Sequence, residues 1–179
     1  VVPLKAIVIT DPIRENAKET FDYFKKEGVA IKVISGDNPA TVAAIAQKAG
    51  LDGAQRYIDM STVHTEQELV RVAAEYTVFG RVSPQQKKAL VQALQRQGHG
   101  VAMTGDGVND ILALREADCS IAIAEGSDAA RQVAQLVLLN SDFGALPQVL
   151  AEGRRVVNNI TRVAGVFFVK TIYSVLLAI

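Results

Sequence analysis

The sequence predicts an α/β protein with a mainly parallel sheet, helices on both faces of that sheet, and an apolar helix at the C-terminus. Short apolar runs rich in β-branched residues alternate with helical stretches from residue 1 to about residue 150. Repeated strand-helix units favour parallel pairing, because each helix returns the chain to the same end of the sheet. The composition, 49% hydrophobic and 21% charged over 179 residues, is that of one globular domain with an appendage.

The strands are predicted where apolar residues run together between turn residues. They cover residues 5–10, 29–34, 57–58, 77–80, 100–104, 119–123 and 135–139. The segment at 57–58 is the least distinct, because the sequence from 53 to 64 has no clear period. Ligand sites of parallel sheets lie at the carboxyl ends of the strands, so the residues that follow each strand are the candidates for function.

The helices are predicted from apolar spacing and from residues that start or end helices. Pro39, after Asn38, and Pro84, after Ser83, stand at first helical positions that suit proline. The predicted helices cover residues 14–27, 39–50, 66–74, 84–98, 109–117, a short segment from 127, and the chain from about 144 onward.

Charge and cysteine content exclude several classes of protein. The 19 basic and 19 acidic side chains cancel, which argues against nucleic acid bound through bulk electrostatics. The single cysteine, Cys119, excludes an internal disulfide and any multi-cysteine metal site. The two histidines, His64 and His99, lack the spacing of metal ligands.

The apolar run at the C-terminus has two interpretations. Residues 163–179 read VAGVFFVKTIYSVLLAI, with Lys170 as the only charge. A spanning helix needs about 20 apolar residues, so the run is either the first part of a transmembrane helix or a buried helix. Arginines at positions 154, 155 and 162 precede it, and such basic flanks place that end of a spanning helix on the cytoplasmic side.

The strongest candidate for chemistry is the segment Thr104–Asp110, at the end of a predicted strand. Asp106 and Asp110 are four residues apart, so a turn that leads into a helix brings both carboxylates toward one point. Paired carboxylates at a strand end suit Mg²⁺, whose other ligands are waters and a substrate phosphate. Asn109 adds a neutral donor and acceptor. A plain turn with a helix cap is the alternative, since Gly, Asp and Asn all favour turns.

A second candidate is the segment Ser35, Gly36 and Asp37, which follows the strand predicted at 29–34. A hydroxyl and free backbone amides at a helix start can hold a phosphate oxygen. An ordinary N-cap turn is the alternative interpretation.

Two more segments follow predicted strands. Lys87 lies in the first turns of a predicted helix, where a cation gains nothing from the helix dipole. A lysine directed at an anion would explain that position, and a solvated surface lysine is the alternative. Asp11 and Arg14 flank Pro12 and Ile13, and they could pair with each other, face a nucleotide, or form a plain turn.

The four segments, brought to one edge of a sheet, carry the groups needed for phosphoryl transfer. That reaction depends mostly on positioning and on neutralising charge. No nucleophile is evident beyond these groups, since Cys119 lies in a strand-like run and is expected to be an inert core residue.

These motifs, in this order, resemble the phosphorylation domain of P-type cation-transporting ATPases, within the haloacid dehalogenase superfamily. The resemblance covers nearly the whole chain. The matching segments are Asp11–Arg14, Ser35–Asp37, Arg81–Pro84 with Lys87, Thr104–Asp110, Leu112–Leu114, Ala117–Asp118, Gly126–Ala130, Gly153–Arg154 and Asn158–Asn159.

The resemblance implies a Rossmann-like domain with a magnesium site. Asp106 would ligate Mg²⁺, and Asp110 would support or share in its ligation. Lys87 would contact the transferred phosphoryl group, and Ser35 would take the place of the usual threonine hydroxyl. The catalytic set would be Lys87, Ser35, Asp106, Asn109 and Asp110. The nucleotide-facing and hinge side would carry Asp11, Arg14, Gly36 and Asp37.

The resemblance also implies that the chain is a fragment. The family's phosphate acceptor is the aspartate of an Asp-Lys-Thr-Gly-Thr motif, and this sequence contains no such motif. Residues 1–150 would then be the C-terminal part of the phosphorylation domain, 151–162 a stalk helix, and 163–179 the start of the fifth transmembrane helix. The ATP-binding domain, the actuator domain and most of the multi-pass membrane part would lie elsewhere in a pump of a bacterial plasma membrane. We expect the isolated chain to be inactive.

Two departures from the family pattern bear on the transported ion. The usual Asn-Asp-Ala-Pro is here Asn109-Asp110-Ile111-Leu112, which keeps the metal ligands but indicates a less typical branch. Lys170 would lie at the depth where calcium pumps carry an asparagine and a glutamate. A lysine there could replace one transported cation, or it could snorkel to the interface. Ca²⁺ is the leading expectation, with fewer ions per cycle; Mg²⁺, K⁺ or another cation is the alternative.

Other functions fit the sequence less well. A stand-alone phosphatase of the haloacid dehalogenase type needs an Asp-x-Asp motif, and Ile13 stands where the second aspartate would be. A binding module without chemistry would have no need of the pair Asp106 and Asp110. A receiver domain of the response-regulator type needs an early acidic pair that the sequence lacks.

Overall fold

The computed structural model describes residues 13–140 and 142–177, and the chain divides into two units, Val1–Phe143 and Gly144–Ile179. The first unit carries every strand found in the described residues, and the second consists mainly of one long helix. The strand predicted at 5–10, and Asp11 with it, lie outside the described residues.

The first unit alternates strands and helices as the sequence predicts. Its strands are β1 (Val33–Ile34), β2 (Tyr57–Asp59), β3 (Val78–Gly80), β4 (Ala102–Gly105), β5 (Cys119–Ile123) and β6 (Leu136–Leu138). Its helices are α1 (Ala17–Lys26), α2 (Pro39–Lys48), α3 (Glu66–Glu75), α4 (Pro84–Arg96), α5 (Ile111–Glu116) and α6 (Asp128–Val133). Single 3₁₀ turns lie at Met60–Thr62, Val108–Asp110 and Phe143–Ala145.

The six strands form two parallel sheets with the orders β1-β3-β2 and β4-β5-β6. All four strand pairs are parallel, and the predicted α/β class is confirmed. The strand predicted at 29–34 is shorter than expected, because only Val33 and Ile34 find partners on the three-residue β3.

Local sequence explains where the helices begin. The Asn38 side chain accepts a hydrogen bond of 3.0 Å from the backbone N–H of Ala40 at the start of α2. Capping boxes begin the next two helices, Thr65 with Glu68 at α3 and Ser83 with Gln86 at α4. Each box satisfies two backbone N–H groups that a helix end would otherwise leave unpaired.

The sheet β1-β3-β2 has a hydrophobic core on each face. Successive residues of a strand point to opposite faces, and Val78 and Phe79 of β3 belong to different clusters. Val78 packs with Val42 of α2, and Phe79 packs with Leu69 of α3 and with residues of α4. Helices therefore cover both sides of this sheet.

Helix α4 contributes to the cores of both sheets. Leu90 and Ala93 lie in the cluster around Phe79, whereas Val91 packs with Met103 of β4 and Leu114 of α5. The helix thus joins the two sheets, and its first turns lie near the ends of β3 and β4.

The second unit contains α7 (Leu146–Leu177), a single unbroken helix of 32 residues. The segment Phe143–Leu177 is long and apolar enough to cross a membrane, and it is the one such helix in the described part of the chain. Apolar side chains such as Val166 and Phe168 are 70% exposed within this chain. The proposed boundary between a stalk and a membrane segment near residue 162 stays a prediction.

Candidate functional site

The candidate site is built from three loops that follow parallel strands. Residues 35–37 follow β1, residues 81–83 follow β3, and residues 106–110 follow β4. The first two loops lie at the carboxyl edge of the sheet β1-β3-β2, and the third lies at the carboxyl edge of the sheet β4-β5-β6. Helix α4 begins after the second loop, and its residue Lys87 contacts Asp110 of the third.

The loops after β1 and β3 are joined by backbone hydrogen bonds. The Ser35 carbonyl accepts from the N–H of Val82 at 3.0 Å, and the Asp37 carbonyl accepts from the N–H of Arg81 at 2.8 Å. These two bonds extend the strand pairing past the end of the sheet, so the two loops are held as one surface.

The Ser35 hydroxyl closes a local turn. It accepts a 3.1 Å hydrogen bond from the backbone N–H of Asp37 and donates one of 3.3 Å to the Asp37 carboxylate. A side chain at Gly36 would meet open space, so a ligand could approach the backbone there. The turn that the sequence allowed as an alternative is therefore present, and phosphate or nucleotide contact by Ser35, Gly36 and Asp37 stays a prediction.

Arg81 has an unusual backbone and a charged partner. Its φ of 53° is the one positive value at a non-glycine residue within the described ranges. Its guanidinium lies 2.8 Å from the Asp59 carboxylate at the end of β2. The hydroxyl and backbone N–H of Ser61 hold the pKa of Asp59 below its usual range, and the Arg81 charge lowers it further. No pattern in the sequence indicated a role for Asp59.

Lys87 and Asp110 form a buried ion pair. The Lys87 ammonium lies 2.6 Å from Asp110 Oδ1, and the two side chains are 12% and 9% exposed. The other carboxylate oxygen of Asp110 accepts a 3.2 Å hydrogen bond from the N–H of Gly107. Lys87 is therefore not a solvated surface lysine: it is directed at an anion, and that anion belongs to the chain itself.

Gly105 is required by the closeness of Asp110. A Cβ at position 105 would lie 2.5 Å from the Cβ of Asp110 and 2.8 Å from its Cγ. Real side chains do not tolerate such distances, so any larger residue would displace the carboxylate or the backbone. The glycine at the end of β4 therefore fixes where Asp110 stands.

Asp106 differs from Asp110 in its surroundings. It is exposed, and its carboxylate takes no hydrogen-bond or ion-pair partner among the residues that the structure describes. Its backbone carbonyl accepts a 2.7 Å hydrogen bond from the N–H of Ser127. Gly126 packs against it so closely that a Cβ there would lie 2.5 Å from the Asp106 carbonyl oxygen. The loop after β5 thus supports Asp106, a role that the sequence motif alone did not reveal.

The donor set is compatible with Mg²⁺ bound together with a phosphate. The described residues hold no cluster of three His, Cys, Asp or Glu side chains that could bind a metal alone. Mg²⁺ commonly takes one or two carboxylates and completes its shell with water and substrate phosphate. Asp106 offers such a carboxylate, whereas both oxygens of Asp110 already accept hydrogen bonds. Metal ligation by either residue stays a prediction.

The site roles predicted for Asn109 and Arg14 stay predictions. Asn109 is exposed in the 3₁₀ turn between Asp106 and Asp110. Arg14 precedes α1, and its carbonyl accepts a 3.1 Å hydrogen bond from the N–H of Ala17.

Comparison with protein families identifies this arrangement. A family model described as haloacid dehalogenase-like hydrolase matches residues 2–118. The chain belongs to this family. The match includes the loops after β1, β3 and β4, and so covers every predicted site residue.

Among members of this family, the similar curated proteins are P-type cation-transporting ATPases. The chain is 60% identical over 176 residues to the probable cation-transporting ATPase exp7 of Streptococcus pneumoniae, which covers 98% of this chain and 22% of that protein. It is 52% identical over 180 residues to the calcium-transporting ATPase CtpE of Mycobacterium tuberculosis, which covers 100% and 22%. The chain thus spans about a fifth of the length of these relatives.

Solved structures of the same family share the fold. A zinc-transporting PIB-type ATPase in its E2.Pi state superimposes with a TM-score of 0.66 at 27% identity, over 85% of this chain and 21% of that one. The catalytic domain of the CPx-ATPase CopB-B gives a TM-score of 0.61 at 28% identity, over 78% and 46%.

Proposed function

We propose that this chain is the phosphoryl-handling part of a P-type cation pump, which couples ATP hydrolysis through an aspartyl-phosphate to cation transport. The observation that carries the proposal is the buried pair of Lys87 and Asp110 beside the exposed carboxylate of Asp106, at the end of β4. High identity to cation-transporting ATPases over nearly the whole chain supports it.

In this proposal, each residue of the candidate site has one role. Asp106 holds the metal that accompanies the phosphate, and Lys87 presents a fixed positive charge to the transferred phosphoryl oxygens. Asp110 keeps the Lys87 ammonium in place while no phosphate is near, because a buried lysine without a partner is costly. The Ser35 hydroxyl donates to a phosphate oxygen when it leaves Asp37. Bound Mg²⁺ supplies neutralisation of the negative charge on the phosphate oxygens.

The acceptor aspartate comes from outside this sequence. No Asp-Lys-Thr-Gly-Thr motif is present between residues 1 and 179, and the chain spans 22% of its relatives. The nucleotide-binding and actuator domains and the rest of the membrane part would complete the pump, with ATP bound mainly by the former. Helix α7 would run from a stalk into lipid, with the sheets on the cytoplasmic face of a bacterial plasma membrane.

Ca²⁺ is the proposed transported ion. The support is the 52% identity to a relative named a calcium-transporting ATPase. Lys170, in the apolar part of α7, would act as a built-in positive charge and reduce the number of ions moved per cycle. Nucleic acid has no place in this function, because the chain carries no excess of basic side chains.

The test is formation of the phosphoenzyme in the longer protein. With γ-labelled ATP, the Lys87→Ala variant should form the acid-stable phosphoenzyme at least about tenfold more slowly, since one directed charge is lost. Lys88→Ala, at the next position of α4, is the matched control and should leave the rate unchanged. Equal rates for Lys87→Ala and the unaltered pump would contradict the proposed role.

The isolated chain provides a second test. Incubated with labelled ATP or acetyl phosphate and Mg²⁺, it should acquire no acid-stable label, because the acceptor is absent. A labelled acyl-phosphate on this chain would overturn that part of the proposal.

A further inference from the structure

The end of β2 and the 3₁₀ turn that follows it contact the loop before α4 and the first turn of α4. The Asp59 carboxylate pairs with the Arg81 guanidinium at 2.8 Å. The carbonyl of Met60 accepts a 2.8 Å hydrogen bond from the side-chain amide of Gln86. Met60 itself is fully buried, so its side chain anchors the 3₁₀ turn in the hydrophobic core.

Asp59 is itself held in place. Its second carboxylate oxygen accepts from both the backbone N–H of Ser61, at 3.0 Å, and the Ser61 hydroxyl, at 2.6 Å. The Asp59 side chain is 26% exposed, and that of Arg81 is 52% exposed. A carboxylate fixed by two local hydrogen bonds can orient a more exposed guanidinium.

Arg81 is the point at which the chain changes direction between β3 and α4. A positive φ is unfavourable for a residue with a side chain and persists only where the surroundings hold it. Here its backbone N–H is bonded to Asp37, and its side chain to Asp59. Two residues later, Ser83 begins α4, and Lys87 lies in the second turn of that helix.

We propose that Asp59 is a positioning residue: by holding the side chain of Arg81, it fixes the turn from β3 into α4 and thereby places the Lys87 ammonium on Asp110. The catalytic groups themselves lie elsewhere, and Asp59 acts on them only through the backbone of residues 81–87. The enzymatic consequence rests on the proposed function, whereas the placement of Lys87 does not.

The direct test observes the Lys87 ammonium by ¹⁵N NMR in the full 179-residue chain, held in detergent. A buried ion-paired ammonium exchanges slowly enough to give a cross-peak, and Asp110→Asn provides the reference for the unpaired state. Asp59→Asn should shift or broaden the Lys87 signal toward that reference. Glu66→Gln removes the exposed ion pair at the other end of α4, with Arg96, and should leave the signal unchanged.

Glycine at position 81 separates positioning from general damage. Glycine adopts a positive φ without an anchor, so Arg81→Gly should retain the Lys87 signal, whereas Arg81→Ala should lose it as Asp59→Asn does. In the Arg81→Gly background, Asp59→Asn should have no further effect. Should Asp59→Asn fail to fold, the comparison of Arg81→Ala with Arg81→Gly carries the test.

Two results would overturn the inference. One is an unchanged Lys87 signal in Asp59→Asn; the other is an effect of Asp59→Asn that persists in full beside Arg81→Gly. In the longer pump, Asp59→Asn should slow phosphoenzyme formation by up to about fivefold, the order expected for a partly exposed charge pair, with the KM for ATP unchanged. Normal phosphorylation of Lys87→Ala would refute the proposed function and leave the NMR result standing.

Discussion

Removal of the Lys87 ammonium should strongly destabilise the first unit. In Lys87→Met the methylene stem is largely retained, so the main change is that Asp110, 9% exposed, loses the cation 2.6 Å away. A buried carboxylate without its cation is the costly species, since water cannot replace the lost partner. The remaining bond from the N–H of Gly107 satisfies one oxygen only.

The magnitude follows from the burial of the pair. Breaking one side of a buried ion pair costs about 3–5 kcal/mol, and the slight exposure here places the estimate near the lower end, about 3 kcal/mol. For a unit of this size, that corresponds to a fall in Tm of about 10 °C. Lys88 and Glu116 form the matched pair on the same helix, at 3.3 Å with side chains 43% and 28% exposed. Lys88→Met should cost less than about 1 kcal/mol.

The assay is urea unfolding of the chain in detergent, followed by circular dichroism, for the unaltered protein and the two methionine variants. The double variant Lys87→Met/Asp110→Asn removes both charges, and it should be more stable than the sum of the single losses predicts by about 2 kcal/mol. If Lys87→Met costs no more than Lys88→Met, or if the double variant shows simple additivity, the pair is not the buried interaction described above.

Three more expectations follow from single features. Gly105→Ala should lower the free energy of unfolding by about 2 kcal/mol or more, because its methyl would lie 2.5 Å from the Cβ of Asp110; Gly36→Ala, into open space, should change it by less than about 1 kcal/mol when both are measured in urea. The pKa of Asp118 is lowered mainly by a backbone N–H bond, so its contribution to stability is present above the ordinary Asp range and is lost as the pH falls through its folded pKa. Between about pH 5 and about pH 3, the free energy of unfolding should therefore fall less for Asp118→Asn than for the unaltered chain. An equal fall for the two proteins would contradict this assignment. Lys170→Ala in the longer pump should change ion stoichiometry or selectivity in a transport assay, and unchanged values would refute the counter-ion role.

Local signals predicted the helix starts and most strands. Asn38 and Ser83 precede the helices that they predicted, and each side chain makes a capping bond. Such bonds join residues two or three positions apart, so the sequence carries the whole signal. Strand length was less predictable: the apolar run at 29–34 forms only a two-residue strand, because pairing depends on a partner some 45 residues away.

Individual site residues could be predicted from the sequence, but the partners that they contact could not. The lysine at 87 indicated an anion nearby, yet nothing local identified Asp110, 23 residues further along, as that anion. Asp59 gave no signal at all, because it follows the least distinct strand and its partner Arg81 is 22 residues away. A positive φ is usually predicted from a glycine. Position 81 is an arginine, so the sequence did not indicate its backbone conformation. Contacts between loops of different strands arise only once the sheet has formed.

The position of α4 between the two sheets has a consequence for how the first unit folds and opens. Because Leu90 and Val91 are neighbours that enter different cores, α4 cannot leave one sheet without exposing apolar surface in the other. Neither sheet can then serve as an independent folding unit, and amides of β3 and β4 should exchange through the same cooperative opening. Intermediates that retain one sheet and lose the other would be too rare to populate, so the three loops of the candidate site should form and open together.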